Sequence, residues 1–289
     1  MSKAQIGSAV ATLVLIAGAA ACGSDDGSAA GGDAKGGAST TPKAEAVRDA
    51  YRKTVAADTA RMTVSTKAVA DGQAVTAHGT GLVDLKEGAS RMTLTSQGTE
   101  IEQRVVDGVV YQKPSGGQKG GVVPGGKTWM KIDLARLARS GSAGRSQFSD
   151  PAQPLRYLKG VGSGSVARAG AETVDGTATT RYRVAVPVSA LASGNAGQAA
   201  ELRRQLGRSS LPLDVWLDGQ GRLRQERVRL ALHPLKDRAP GQRDTQVVSS
   251  TVLKFADFGT KVDVAAPPAS DTADVTGRLT QSGGPTQSG

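Results

Sequence analysis

From about residue 61 onward, the apolar side chains recur at every second position, and that period dictates a sheet. In "RMTVSTKA", Met62, Val64 and Ala68 alternate with Arg61, Thr63, Ser65 and Lys67. In "AVTAHGTGLVDL", Val75, Ala77, Val83 and Leu85 share one face, and "SRMTLTS" puts Met92 and Leu94 together. A strand turns successive side chains to opposite faces, so such runs are strands with one buried side. "EIEQRVV", "VVYQK", "KTWMKID", "TATTRYRVAV", "LPLDVWLD", "RVRLAL" and "TQVVSSTVLKF" continue the pattern. Asp71-Gly72, Asp107-Gly108, Asp175-Gly176 and Asp218-Gly219 fall between such segments. Asp-Gly suits the tight hairpin turns whose two central residues need positive φ. An antiparallel meander of about ten strands follows, not a parallel βαβ sheet.

Helical spacing appears in four short places. Thr41 can cap a first helix, Pro42 suits its first position, and Val47, Tyr51 and Val55 recur on one side. "LARLARS", "PAQPLRYLKGV" and "QAAELRRQLG" supply the others, the last with Ala199, Leu202 and Leu206 on one face and Arg203, Arg204 and Gln205 away from it. The expected class is α+β, with four helices available to cover one side of the sheet. There is no sequence repeat of the length that builds solenoids.

The first 21 residues read differently. Lys3 precedes an apolar run from Ile6, and Ala19-Ala20-Ala21 ends it just before Cys22. A charged start, a short apolar core and small residues at the end describe a signal peptide, so residues 1–21 are expected to direct export. Ala19-Ala20-Ala21-Cys22 resembles a bacterial lipobox, whose cysteine is diacylated and becomes the new N-terminus. The same alanines also suit ordinary signal peptidase, which would release a soluble protein. A lone cysteine cannot form an internal disulfide, and flexible small residues follow it, which favours lipidation at Cys22. Residues 22–42 comprise that cysteine and a linker, which at 23–41 reads "GSDDGSAAGGDAKGGASTT" without a large apolar side chain. Such a tether of about 20 residues spans roughly 25 Å, which keeps a domain near the outer face of the cytoplasmic membrane. Residues 43–266 are expected as one domain, and 267–289 as a disordered tail.

Several phrases occur together: "GKTWMKIDL", then "DPAQPLRYLKGV", then "GAETVDGTATTRYRV", and finally "LPLDVWLDGQGRLRQERVRL". Their order resembles the actinobacterial cell-envelope lipoproteins with a LolA-like fold, a group that includes the mycobacterial lipid-carrier lipoproteins. The resemblance spans roughly Ala44 to Val264. It implies an open antiparallel half-barrel with helices across the concave face, and acyl chains held between sheet and helices. The strand alternation, read beside it, offers a candidate lining: Met62, Val64, Met92, Leu94, Met130, Tyr182, Val184, Leu213 and Val215, with Leu155 and Leu158 from the lid. Methionine adapts to variable chains. Ordinary dry core is the other reading of the same residues, because alternation reports burial rather than contact with a ligand.

The formal net charge of +10 falls to +9 once residues 1–21 are removed. Such a charge suits anionic headgroups or acidic cell-wall polymer as well as a solvated basic face, and export argues against nucleic acid. No catalytic constellation assembles. Cys22 is taken by the anchor, and His78 and His233 stand far apart with no ligand-spaced neighbours. No Gly-x-Ser-x-Gly elbow marks a nucleophile. "GVGSGS" at 160–165 follows a helix and lacks the third glycine of a phosphate loop. "RLRQERVR" at 222–229 places alternating arginines on a strand, for water or for phosphates. The expected function is a membrane-anchored lipoprotein that carries a lipid or other acylated molecule, without enzyme activity, metal or cofactor. The alternative is an envelope adaptor or sensor that docks a membrane protein.

Overall fold

The computed structural model describes residues 42–70, 72–115, 123–139, 155, 157–192, 196–232 and 247–281. The signal segment, Cys22, the linker and His233 lie outside the described residues.

Among the described residues the strands form one 12-stranded sheet in the order β12-β6-β5-β4-β3-β2-β1-β11-β10-β9-β8-β7. The strands are β1 (Thr59–Ala70), β2 (Gln73–Asp84), β3 (Ser90–Ser96), β4 (Thr99–Val106), β5 (Val109–Ser115) and β6 (Trp129–Asp133). The second half comprises β7 (Val166–Val174), β8 (Thr177–Pro187), β9 (Ser210–Asp218), β10 (Leu223–Leu232), β11 (Val247–Ala256) and the short β12 (Thr272–Asp274). Two antiparallel meanders, β1–β6 and β7–β11, join where β1 pairs with β11, placing Met62 opposite Phe255 and Val64 opposite Leu253. The sheet is open, with β12 and β7 at its two edges.

Among the described residues, the helices that pack against the sheet lie on one face of it. The central cap is α1 (Pro42–Val55) with Leu155 and the 3-10 turn Tyr157–Gly160. In α1, Ala44, Val47, Ala50 and Thr54 are buried on one side, while Glu45 in the first turn and Arg52 and Lys53 in the last complement the helix dipole. Toward β9 and β10, α3 (Val188–Leu191) and α4 (Ala196–Leu206) bring Val188, Ala199 and Leu206 onto Leu211 and Leu230. Toward β6, beside α2 (Leu134–Arg139) and α5 (Thr276–Gln281), Leu137 of α2 and Val275 just before α5 cover Val105, Val110 and Ile132. The fold is thus α+β, an open, mostly antiparallel sheet with short helices across one face.

Three expectations are corrected. Twelve strands replace about ten, because edge strand β7 and three-residue β12 were not counted. The segment after residue 266 is not wholly a tail. β12 pairs parallel with β6, and Thr276 Oγ1 accepts a hydrogen bond from the Asp133 amide at 2.9 Å. Asp218-Gly219 does not form a tight two-residue hairpin. The buried Asp218 carboxylate instead accepts from the Gln220 and Arg222 amides, both at 3.0 Å, and Gly221 takes the positive φ of 76°. Asp107-Gly108 and Asp175-Gly176 do have positive φ at both residues, and so does Gln97-Gly98.

Candidate functional site

The register of the central strands decides which side chains meet on the capped face. Met62 of β1 lies opposite Gly81 of β2, which lies opposite Met92 of β3; one row on, Val64, Gly79 and Leu94 align in the same way. The first row reaches Phe255 of β11; the second continues through Leu253 of β11 and Glu226 of β10 to Val215 of β9 and Tyr182 of β8, and Leu213 and Val184 align with Val228 in the neighbouring row. A glycine has no side chain to stand between its neighbours. Gly79 and Gly81 therefore let their neighbours close in: Val64, Leu94 and Met92 pack over Gly79, and at Gly81 the backbone of β3 takes the place a Cβ would fill.

Ten of the eleven sequence-predicted lining residues join in one apolar cluster. Met62, Met92, Val184, Leu213, Val215, Leu155 and Leu158 are buried in it, and Val64, Leu94 and Tyr182 pack against it half-buried. Met130 is not among them. It shares the face, opposite Gln112 of β5, but packs in the separate cluster under α2 and α5. The buried Gln112 side chain donates to Gln103 Oε1 at 3.1 Å, and this polar pair lies in register between Met92 and Met130.

The lid contributes few side chains: Ala46, Val47, Ala50 and Tyr51 from α1, and Leu155, Leu158 and Val161 from the following segment. Its attachment is polar. Thr54 Oγ1 donates to the Ala50 carbonyl at 2.6 Å and accepts from the Leu223 amide at 2.8 Å, tying the helix end to β10. Arg48 Nη1 reaches the Val161 carbonyl at 3.4 Å. Sequence reasoning missed Leu253 and Phe255, although their period-two spacing on β11 matches the rest. It also missed buried Glu226, which faces inward in register with Leu253 and Val215. Reading "RLRQERVR" as a basic strand hid the acid at its inward position.

Solvent does not reach the middle of the cluster, where Leu155, Leu158 and Val215 are each 0% exposed. A cleft of about 600 Å³ opens instead on the uncapped face, beside β8, β9 and β10. His78 is exposed on that same face of β2, in register with Ser65 and Thr95.

No family model matches the chain. Over 170 residues it is 31% identical to an uncharacterised 31.2 kDa protein from the rplA–rplJ intergenic region of Streptomyces griseus, an alignment covering 55% of this chain and 52% of that protein. The chain thus spans about half the length of that curated relative. Over 254 residues it is 26% identical to a provisionally assigned lipoprotein of Streptomyces coelicolor A3(2), covering 81% of this chain and 76% of that protein. The chain is similar to actinobacterial lipoproteins. Among solved structures it is similar to the Mycobacterium tuberculosis lipoprotein LppX, with 18% identity and a TM-score of 0.44, over 76% of this chain and 99% of that one.

Proposed function

We propose that this protein is an exported lipoprotein that holds a lipid or other acylated molecule between its sheet and its lid. Residues 1–21 direct export, Cys22 carries the acyl anchor, and residues 22–42 tether the domain at the outer face of the cytoplasmic membrane. The provisional lipoprotein name of the Streptomyces coelicolor relative supports the anchor. One observation carries the binding site: a single apolar cluster, bearing two methionines, packs over Gly79 of β2 beneath a lid of seven apolar side chains. An acyl chain would enter by lifting that lid and turning Met62, Met92, Val64 and Leu94 aside, which flexible methionines allow. The role is binding rather than catalysis.

The complete burial of Leu155, Leu158 and Val215 in the same cluster favours a second reading, an adaptor that docks a membrane protein and uses this cluster only as core. Photo-crosslinking in cells with a diazirine fatty acid separates the two. Capture by the wild-type protein that disappears in Val64→Trp, with an unchanged melting temperature, is the expected result. Equal capture by both would sink the carrier reading.

A further inference from the structure

We infer that the uncapped face of the sheet carries a second site, for a phosphate-bearing anion. It lies in the cleft of about 600 Å³ walled by Arg181, Arg183, Arg227 and Arg229 over the small residues Ala185 and Pro212. This inference does not depend on what the capped face holds.

Strand register assembles the arginines. Arg183 of β8 stands opposite Asp214 of β9, and Asp214 stands opposite Arg227 of β10, so a carboxylate lies between two guanidinium groups. Arg229 follows two residues later on the same face as Arg227. The cleft is positive because its four arginines outnumber Asp214 and the neighbouring Glu172. Arg181 holds Asp214 at 3.0 Å and also closes on Glu172 at 3.0 Å, which uses up both acids of this corner. Arg227 lies over the Trp216 ring at 5.0 Å, with Arg181 stacked on the same ring at 5.1 Å. Among the described residues, Arg183 and Arg229 form no ion pair. Elsewhere on the sheet Arg61 closes on Asp257, Arg91 on Glu102 and Arg222 on Asp218.

Arg183 and Arg229 are themselves exposed, and the arrangement differs from a flat basic face in its concave shape and in the held pair Arg181 and Arg227 beside them. The floor of Ala185 and Pro212 leaves the cleft open, and its size falls in the range of roughly 300–1,000 Å³ of small-ligand sites. Trp216 is 1% exposed, and its indole N–H donates to Glu172 Oε2 at 2.7 Å, so the wall behind Arg181 and Arg227 is fixed. Guanidinium groups converging without enough acid repel one another, and a phosphate, which accepts two parallel N–H bonds per arginine, relieves that repulsion. Ser165, in the turn Ser163–Ser165 at the rim, adds a hydroxyl donor. The glycine-rich "GVGSGS" thus borders the anion site without forming a phosphate loop.

The chemistry is shared by free phosphates and by lipid headgroups, and titration calorimetry on the full-length mature protein distinguishes them. Inorganic pyrophosphate serves as one probe, and dihexanoyl-phosphatidylglycerol below its micelle concentration as the other. Arg183→Gln/Arg229→Gln is compared with Arg203→Gln/Arg208→Gln, a pair of exposed arginines elsewhere that removes the same charge. The cleft pair is expected to weaken binding by at least about tenfold and the control pair by less than about twofold, as loss of charged hydrogen bonds predicts. Binding of the lipid probe assigns a headgroup as the ligand, and binding of pyrophosphate alone assigns a free phosphate. Equal loss in both pairs, or no binding of either probe to the wild type, overturns the inference.

Discussion

Gly79 and Gly81 show how much one missing side chain can decide. A Cβ at Gly81 would clash with the Arg91 carbonyl oxygen and lie 2.7 Å from Met92 Cα, which are backbone atoms of the neighbouring strand. At Gly79 the nearest atoms are the side-chain ends Leu94 Cδ2 and Val64 Cγ1, both at 2.6 Å, which can turn away. Gly81→Ala should therefore cost about 2 kcal/mol, the usual size of an overpacked position, and Gly79→Ala clearly less; thermal denaturation of the two variants tests the order. Neither glycine announces itself in "AVTAHGTGLVDL", where Val75, Ala77 and Val83 carry the period and the glycines look like gaps. Glu172 offers a second test at this scale. Hydrogen bonds from Trp216 and then Arg181 hold its carboxyl below the ordinary value of 4.5. A carboxylate lowered on folding adds stability that is complete above pH 4.5 and is lost as pH falls through its lower folded value. Trp216 emission should change in that acid window in the wild type and stay flat in Glu172→Gln.

Among the elements, α1 matters most, because it holds the lid to the sheet. Thr54 is 0% exposed and accepts the Leu223 amide. Thr54→Val keeps the shape but leaves that amide without an acceptor, at a cost of about 1–3 kcal/mol. Hydrogen exchange should then speed up across α1 while β1 and β11 remain protected. Uniform loss of protection would mean that α1 is part of the central fold rather than a lid. The central strands and α1 were legible in sequence because each buries one clean stripe. The missed strands lack such a stripe. β7 buries only Val174 and shifts register between Arg168 and Gly170, and β12 is three residues long and depends on pairing with β6. The Gln97-Gly98 turn escaped notice because glutamine is not the residue that signals positive φ. The Asp218 loop was misread because its carboxylate, rather than its backbone, forms the turn.

For the whole molecule, two meanders joined at β1 and β11 make one open sheet whose two faces have different chemistry. The central cluster of the capped face gathers eight of the nine strand residues that alternation predicted, together with Leu155 and Leu158 from the lid. Met130 fell outside because periodicity assigns a face and says nothing about position across the sheet, where the Gln103–Gln112 pair divides the apolar surface. Sequence also could not show that the predicted slot is closed by its own lining, since closure depends on which side chains meet over the glycines. The central claim is that this closed cluster opens to hold an acylated molecule. Native mass spectrometry of the mature protein, purified from its own membranes in mild detergent, tests it most directly. The account predicts a non-covalent lipid adduct, retained by the wild type and absent from Val64→Trp, on a polypeptide starting at diacylated Cys22. Wild-type protein that never carries an adduct, or a Val64→Trp variant that carries it equally, would contradict the account.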